Sequence, residues 1–302
     1  MSEIAFDDRV VIVTGAGGGL GRAYALEFAA RGAAVVVNDL GGSVNGVGGS
    51  DSAAQKVVDE ITAKGGRAAA SHDSVSTPEG GEAIVQTAID NFGKVDVVIN
   101  NAGILRDKSF LKMEWADLDA VLDVHLRGAF YVSKPAFANM KEHGYGRFVF
   151  TSSNAGVFGN FGQANYGAAK AGLVGLSNVL AIEGAKSGIK SNVIMPVART
   201  RMTEELLGST ADMVSPELVV PMTVFLASEA CELTHEAFSA LGGRYARVFT
   251  GLAPGWFAGK GATPTVEDIQ ANLAQIENQD GYIVPTSITD ELQAVLPLLQ
   301  GE

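Results

Sequence analysis

The chain predicts an α/β protein: one doubly wound parallel sheet with a C-terminal extension. Apolar strand-length runs alternate with helix-length segments, and a glycine cluster follows the first run at once. Further on, Tyr166 and Lys170 stand four residues apart. Alternating strands and helices imply a parallel sheet covered on both faces. With 302 residues, 47% of them hydrophobic, the chain can bury a large core. Length alone suggests two domains, but one doubly wound sheet takes about 250 residues. We therefore expect one domain over residues 1–243 and an extension over 244–302.

Arg9-Val-Val-Ile-Val-Thr14 reads as a short buried strand, and Gly15-Ala-Gly-Gly-Gly-Leu-Gly21 follows it directly. From Arg22 to Arg31 the pattern is helical, with Tyr24, Leu26 and Phe28 among alanines. Strand, glycine turn, helix is the Rossmann-type context for a dinucleotide. Gly15 permits the sharp turn, Gly19 and Leu20 bring backbone to a pyrophosphate at the helix N-terminus, and Gly21 lets helix and strand pack closely. A second strand, residues 33–38, ends at Asp39, about twenty residues past the glycines. A carboxylate there accepts hydrogen bonds from both ribose hydroxyls and repels a 2′-phosphate. Its neighbours Gly18 and Leu40 are not basic, so NAD is expected over NADP.

The alternation continues with a helix near 51–64, a strand near 66–71, a helix near 79–91 and a strand at 95–99. A long helix near 115–140, a strand at 146–151, a helix near 164–184 and a strand at 189–195 follow. A helix near 215–227 and a strand near 236–241 complete the set. Ligands in such sheets sit beyond the strand C-terminal ends, where the non-helical candidate residues fall.

Residues at i and i+4 share a helix face, so the Lys170 ammonium can sit beneath the Tyr166 phenol. A free tyrosine, with pKa ~10, is an idle acid at neutral pH. A cation ~4 Å away at an effective dielectric of ~20 favours the phenolate by ~4 kcal/mol. That lowers the phenol pKa by ~3 units before desolvation opposes it, enough to poise it for general acid/base work. Tyr-x-x-x-Lys alone is common by chance; Ser153 and the nucleotide motif give it meaning.

Thr14-Gly-x-x-x-Gly-x-Gly21, Asp73, Asn100-Asn-Ala-Gly103, Ser153, Tyr166 and Lys170, in this order, resemble the short-chain dehydrogenase/reductase family over about residues 8–243. The resemblance implies that Tyr166 transfers the proton. Lys170 would lower its pKa and hold the nicotinamide ribose, and Ser153 would orient the substrate oxygen. It also places Asp73 and Ser74 at the adenine, with Asn101, Ala102 and Gly103 beside the cofactor. Many members carry asparagine where this chain has His125, a position linked to a proton relay. His125 could hold a relay water or be a packed residue. Pro196-Val-Ala-Arg199 replaces the Pro-Gly of many relatives, leaving Thr200 and Arg201 as cofactor candidates.

Asn38-Asp-Leu-Gly-Gly, the glycine-rich loop 44–50, Asn101-Ala-Gly-Ile-Leu-Arg-Asp107, Val124-His-Leu-Arg-Gly128 and Gly159-Asn-Phe-Gly-Gln-Ala-Asn-Tyr166 narrow this further. They resemble the (3R)-hydroxyacyl-CoA dehydrogenase region of the peroxisomal multifunctional enzymes type 2. The resemblance implies oxidation of a 3-hydroxyl on an acyl-CoA thioester, the acyl group being fatty or steroid-bearing. No hydratase or sterol-carrier region is expected here. The resemblance also implies a homodimer or homotetramer, built through the helices flanking the active site. The stretch 164–185, apolar around most of its circumference, suits burial on two sides.

A net charge of −12 argues against nucleic acid, which needs a basic face. Acyl-CoA phosphates need only a few local cations, and Arg106, Lys108, Arg199 and Arg201 lie in expected loops. No run is long enough to span a bilayer, the four histidines lack ligand spacing, so no metal is expected, and Cys231 is alone. Residues 41–50 read as a connection. The N-terminus lacks a signal pattern and the chain ends Leu-Gln-Gly-Glu, so the cytoplasm is the expected compartment. Residues 244–302 carry loop signals at Pro254-Gly255-Trp256, Gly259–Gly261 and Pro264, then a helix from 266 to 276. The extension could cover the substrate entrance, join a subunit contact, or simply pack.

Alternatives within enzymes are a hydroxysteroid dehydrogenase and a 3-oxoacyl-acyl-carrier-protein reductase. From another class comes a nucleotide-binding redox sensor, which has no physical need for an activated phenol. Asp39→Ala or Asp39→Arg is expected to lower the ratio of kcat/KM with NAD to that with NADP. An unchanged ratio would refute the assignment of Asp39.

Overall fold

In the computed structural model the chain is described at residues 3–49, 52–200, 203 and 212–301. Contacts divide it into two compact units, Met1–Arg247 and Val248–Glu302.

The first unit is built on an eight-stranded sheet in the order β3-β2-β1-β4-β5-β6-β7-β8. Its strands are β1 (Val10–Thr14), β2 (Ala34–Asn38), β3 (Arg67–Ser71), β4 (Val97–Asn100), β5 (Gly146–Thr151), β6 (Ile189–Val197), β7 (Glu236–Leu241) and β8 (Arg244–Val248). Neighbouring strands pair in parallel from β3 across to β7, with Ile12 opposite Val36 on one side and Val98 on the other. Every residue of β1, β2, β4 and β5 is buried, which is why β1, β2 and β4 read as Val/Ile-rich runs rather than alternating ones. β8 is an addition to the expected set. It joins β7 through Gly242 and Gly243, both at positive φ (57° and 81°), the geometry of a two-residue hairpin. Its mostly polar side chains, Arg244 and Arg247 among them, suit a sheet edge.

Among the described residues the helices of this unit are α1 (Gly19–Ala30), α2 (Ser52–Ala63), α3 (Pro78–Phe92), α4 (Trp115–Leu122), α5 (Gly128–His143), α6 (Ala155–Phe158), α7 (Ala164–Gly184) and α8 (Val220–Ala227). α1 buries Tyr24, Ala25 and Phe28 in the main core. α3 begins where the Thr77 side chain accepts from Gly80 N at 3.1 Å, and ends at Gly93 in the left-handed conformation. The long helix expected near 115–140 is interrupted. A π-helical turn at Asp123–Arg127 separates α4 from α5, inserting one extra residue into the helical ladder. Its one buried side chain is His125, so no apolar residue in the sequence marks the break.

In the second unit the helix expected over 266–276 is two pieces, α9 (Val266–Ala271) and α10 (Leu273–Ile276). They part at Asn272, whose backbone is not helical. Thr265 and Asp268 cap α9 reciprocally, at 3.2 and 2.9 Å. A further helix, α11 (Ile288–Gln300), is capped by Ser287 and Asp290 and stops at Gly301. Phe249 stacks on Tyr282 at 5.8 Å beside an antiparallel bridge from Leu252 to Ile283.

Gly81 shows how closely the layers meet. A Cβ there would lie 2.5 Å from the Tyr131 backbone of α5. Gly81→Ala is expected to cost about 1–3 kcal/mol through overpacking. Tm should fall by about 2–4 °C per kcal/mol for a domain of this size, read by calorimetry; an unchanged Tm would contradict the packing.

Candidate active site

β1 and β4 are neighbours in the sheet, and the chain leaves them in different directions; a crevice opens there at the strand C-terminal ends. A cavity of about 620 Å³ fills it. Side-chain and backbone bonds hold its floor. Thr14 Oγ accepts from Asn101 N at 3.0 Å and Ala102 N at 3.1 Å. Asn101 Nδ2 donates back to Thr14 O and Gly15 O, at 3.0 and 3.2 Å. The Asn101 amide is thus a brace between the glycine turn and the β4 loop as well as part of the cavity wall.

The glycine turn leaves no room for side chains. A Cβ on Gly21 would lie 2.2 Å from Gly15 O, and one on Gly15, at φ +65°, 2.8 Å from Ala102 Cα. This cradle leaves the N-terminus of α1 open to a pyrophosphate. Beyond it, both Asp39 oxygens are anchored, Oδ2 by Gly17 N at 2.8 Å and Oδ1 by Gly41 N at 2.7 Å. Each keeps a lone pair for a hydroxyl donor. Asp73 Oδ2 accepts from Ser71 Oγ at 3.0 Å, and Ser74 Oγ pairs with Ser76 Oγ at 2.7 Å. These residues therefore fit a dinucleotide.

At the other end, Ser153 follows β5, and its Oγ accepts from Ala155 N at 3.1 Å. Ser152 Oγ donates to Lys170 O at 2.6 Å, fixing α7 against the end of β5. Asn165 closes the start of α7. Its Nδ2 donates to Arg106 O at 3.1 Å, and its Oδ1 accepts from Tyr166 N at 2.8 Å. Lys170 is buried, donates from Nζ to Thr151 O, and sits 5.4 Å from the centroid of the Tyr166 ring.

Burial dominates the electrostatics. It lowers Lys170 from 10.5 to about 7. It also pushes the Tyr166 phenol above its usual 10, against the opposing Ser153 hydroxyl, with the Asp107 carboxylate adding to the rise. The lowering predicted from the Tyr–Lys spacing is opposed by desolvation of the phenol itself, the larger influence here. His125 is held well below its usual 6.5, first by burial and then by the Lys170 charge. Its Nε2 lies 3.0 Å from Ile104 N and 2.7 Å from Ile104 O. Its ring meets that of Tyr166 edge-on at 5.2 Å.

The cavity brings together Gly15, Gly19, Leu20, Gly21, Asp39, Asp73, Ser74, Asn101, Ala102, Gly103, His125, Ser153, Tyr166, Lys170 and Thr200 of the candidates named from the sequence. Arg201 lies outside the described residues. The candidate phosphate cations are already paired. Asp117 is 3.7 Å from Arg106 and 2.8 Å from Lys108, and Arg199 bonds Asp212. Sequence reasoning missed residues 42–46 as a wall. Leu105 N donates to Val44 O at 3.1 Å, and Ser43, Val44 and Gly46 line the cavity with Ile104 and Val75. Gly46, at φ +77° and with Ile104 3.1 Å from where a Cβ would stand, was the available signal. Asn160 and Gln163 also line it and were read only as motif letters.

The profile of the short chain dehydrogenase family matches residues 9–209. The chain belongs to the short-chain dehydrogenase family. It is an oxidoreductase of that family, and its cofactor is a nicotinamide dinucleotide. This dehydrogenase is 50% identical over 298 residues to peroxisomal multifunctional enzyme A of Dictyostelium discoideum, covering 98% of this chain and 66% of that protein. It is 56% identical over 232 residues to peroxisomal multifunctional enzyme type 2 of Mus musculus, covering 76% of this chain and 31% of that one. The chain thus spans less than two thirds of either relative. A crystal structure of a short chain dehydrogenase from Mycobacterium avium superposes with a TM-score of 0.79 at 43% identity, covering 91% of this chain and 98% of that one. Among the described residues no acidic, histidine or cysteine group could hold a metal, and no helix is long and apolar enough to cross a membrane.

Lys170, lowered by burial, binds its proton less tightly folded than unfolded. Between about 7 and its unfolded value of 10.5, the unfolded chain holds the extra proton, so stability from this residue rises with pH. Relative to Lys170→Met, the wild-type protein is expected to gain unfolding free energy as pH climbs through that window, measured by urea titration. A constant difference would contradict a lowered Lys170.

Proposed function

We propose that the protein catalyses NAD-dependent oxidation of the 3-hydroxyl of a (3R)-hydroxyacyl-CoA to the 3-keto thioester. The observation that carries this is the pairing of two features in one cavity: the doubly anchored Asp39 carboxylate at the end of β2, and Ser153, Tyr166 and Lys170 at its other end. The names of the two multifunctional relatives support the acyl-CoA substrate.

Gly15, Gly19, Leu20 and Gly21 would hold the pyrophosphate, Asp39 the adenosine ribose, and Asp73 and Ser74 the adenine side. Asn101, Ala102, Gly103 and Thr200 would line the nicotinamide end. A nicotinamide held there would supply the hydride acceptor for C3. The Ser153 hydroxyl orients the substrate oxygen by a hydrogen bond, and Tyr166 takes its proton. A phenol raised by burial holds its own proton too firmly to act as a base at neutral pH. Lys170 therefore matters as a charge, one that favours the phenolate when the lysine is protonated. Enclosure of the cavity aligns the reacting atoms, and proximity supplies much of the acceleration.

The assembly is read as a homodimer or homotetramer through α5 and α7, where Phe130, Val179 and Ile182 are exposed apolar residues. The cytoplasm is the compartment of this reading, since a chain with a single cysteine needs no oxidising environment to fold. A steroid-bearing acyl group remains within the substrate class.

NADH formation from NAD with (3R)- and (3S)-hydroxyacyl-CoA esters, steroid-bearing ones included, alongside free hydroxysteroids, tests the reading. Strong (3R) selectivity is expected, and Tyr166→Phe should lower kcat by about 100-fold or more. Turnover of free steroids alone, or a Tyr166→Phe protein of near-normal rate, would overturn it.

A further inference from the structure

Beside the main cavity lies a second one of about 10 Å³, bordered by Thr14, Asn100, Val124, Leu173 and the His125 ring. That is close to the least volume a water needs, and a water also needs polar neighbours. His125 offers one. It is 3% exposed, and its Nδ1 has no hydrogen-bond partner. Its other nitrogen is committed, since Nε2 stands 3.0 Å from Ile104 N and 2.7 Å from Ile104 O.

A neutral imidazole has one donor and one acceptor nitrogen. If Nε2 carries the proton, it donates to Ile104 O and Nδ1 is left as a bare acceptor. If Nε2 is bare, it accepts from Ile104 N–H and Nδ1–H is left as an unused donor. Either tautomer strands Nδ1, and stranding a buried polar atom is costly. A water between Nδ1 and the Asn100 carboxamide, which spends one N–H on Ser133 Oγ, would satisfy it in both cases.

The ring is also a spacer. A Cβ on Gly103 would lie 2.3 Å from His125 Cε1, so the cavity-lining 102–105 segment rests directly against it. On another side the ring meets Tyr166 edge-on, at 5.2 Å and 89°. The extra residue of the π-helical turn lies in the segment that carries the ring.

We propose that the small cavity is a single-water site, and that His125, completed there at Nδ1, is a positioning residue. It fixes the 102–105 segment against the Tyr166 ring and carries no proton for the reaction. Nε2 ends on a backbone amide, which cannot pass a proton on. Burial beside Lys170 also keeps the ring well below its usual range. The kinetic part of this proposal rests on the reading of Tyr166 as acid/base; the water site does not.

The test uses the full chain with labelled histidine. The ¹⁵N shifts of His125 are expected to report one neutral tautomer, unchanged from pH 5.5 to 9. Titration of the ring in step with activity would overturn the proposal, whatever the substrate proves to be. His125→Gln separates the roles kinetically, because an amide can grip the Ile104 backbone but cannot shuttle a proton. We expect His125→Gln to keep kcat/KM within about 10-fold of wild type with an unshifted pH profile, while His125→Phe loses about 100-fold through misplacement. A His125→Gln protein as impaired as His125→Phe, or with a shifted profile, would show proton transfer and sink the idea. Should His125→Phe not fold, the glutamine variant and the wild-type spectra decide alone. A Tyr166→Phe protein of normal turnover would remove the acid/base reading and leave the nitrogen shifts standing.

Discussion

Where the chain departs from β1 and β4, Thr14 Oγ receives two backbone N–H groups and Asn101 returns two hydrogen bonds to the Thr14 and Gly15 carbonyls. The rest of the site hangs on this clamp. It sets the glycine turn so close to the β4 loop that neither Gly15 nor Gly21 tolerates a Cβ. The same closeness leaves the start of α1 free to face an anion. Because the crevice lies at the strand C-terminal ends, Asp39, Asp73, Asn101 and Ser153 all arrive at it without further instruction.

Burial is the second organising force, and it acts on three neighbours at once. Lys170 falls to about 7, Tyr166 rises above its usual 10, and His125 drops below its usual 6.5. Each shift favours the uncharged form, the ordinary effect of removing water from an ionisable group. The surrounding backbone limits the damage, with Thr151 O accepting from Lys170 and Ile104 bracketing His125. A charge introduced beside the phenol acts there more strongly than in bulk water.

Much of the architecture was legible beforehand, for a physical reason. Parallel strands buried on both faces must be apolar throughout, so Val10–Thr14 and Ala34–Asn38 stand out as unbroken runs. Gly93 and Gly144 mark helix ends because the left-handed conformation excludes most other residues. The candidate residues could be named as well, because a glycine turn and an i,i+4 Tyr–Lys pair impose fixed spacings. The π-helical turn was invisible: the residue it buries is the polar His125, which carries no apolar signal. The helix α11 was not named from the sequence; Pro297 stands inside it, a residue that ordinarily ends a helix.

What the sequence by itself determined, then, is local: which segments are strand or helix, where the backbone must pass close, and which side chains share a face. The tertiary structure decided quantities that depend on neighbours distant in the chain. It turned residues 42–46 of the expected connection into a cavity wall by laying Val44 against Leu105. It paired Arg106 and Lys108 with Asp117, and it put the His125 ring between Ile104 and Tyr166. It also reversed the expected sign at Tyr166, because spacing gives the distance to a charge while only packing gives the desolvation that opposes it.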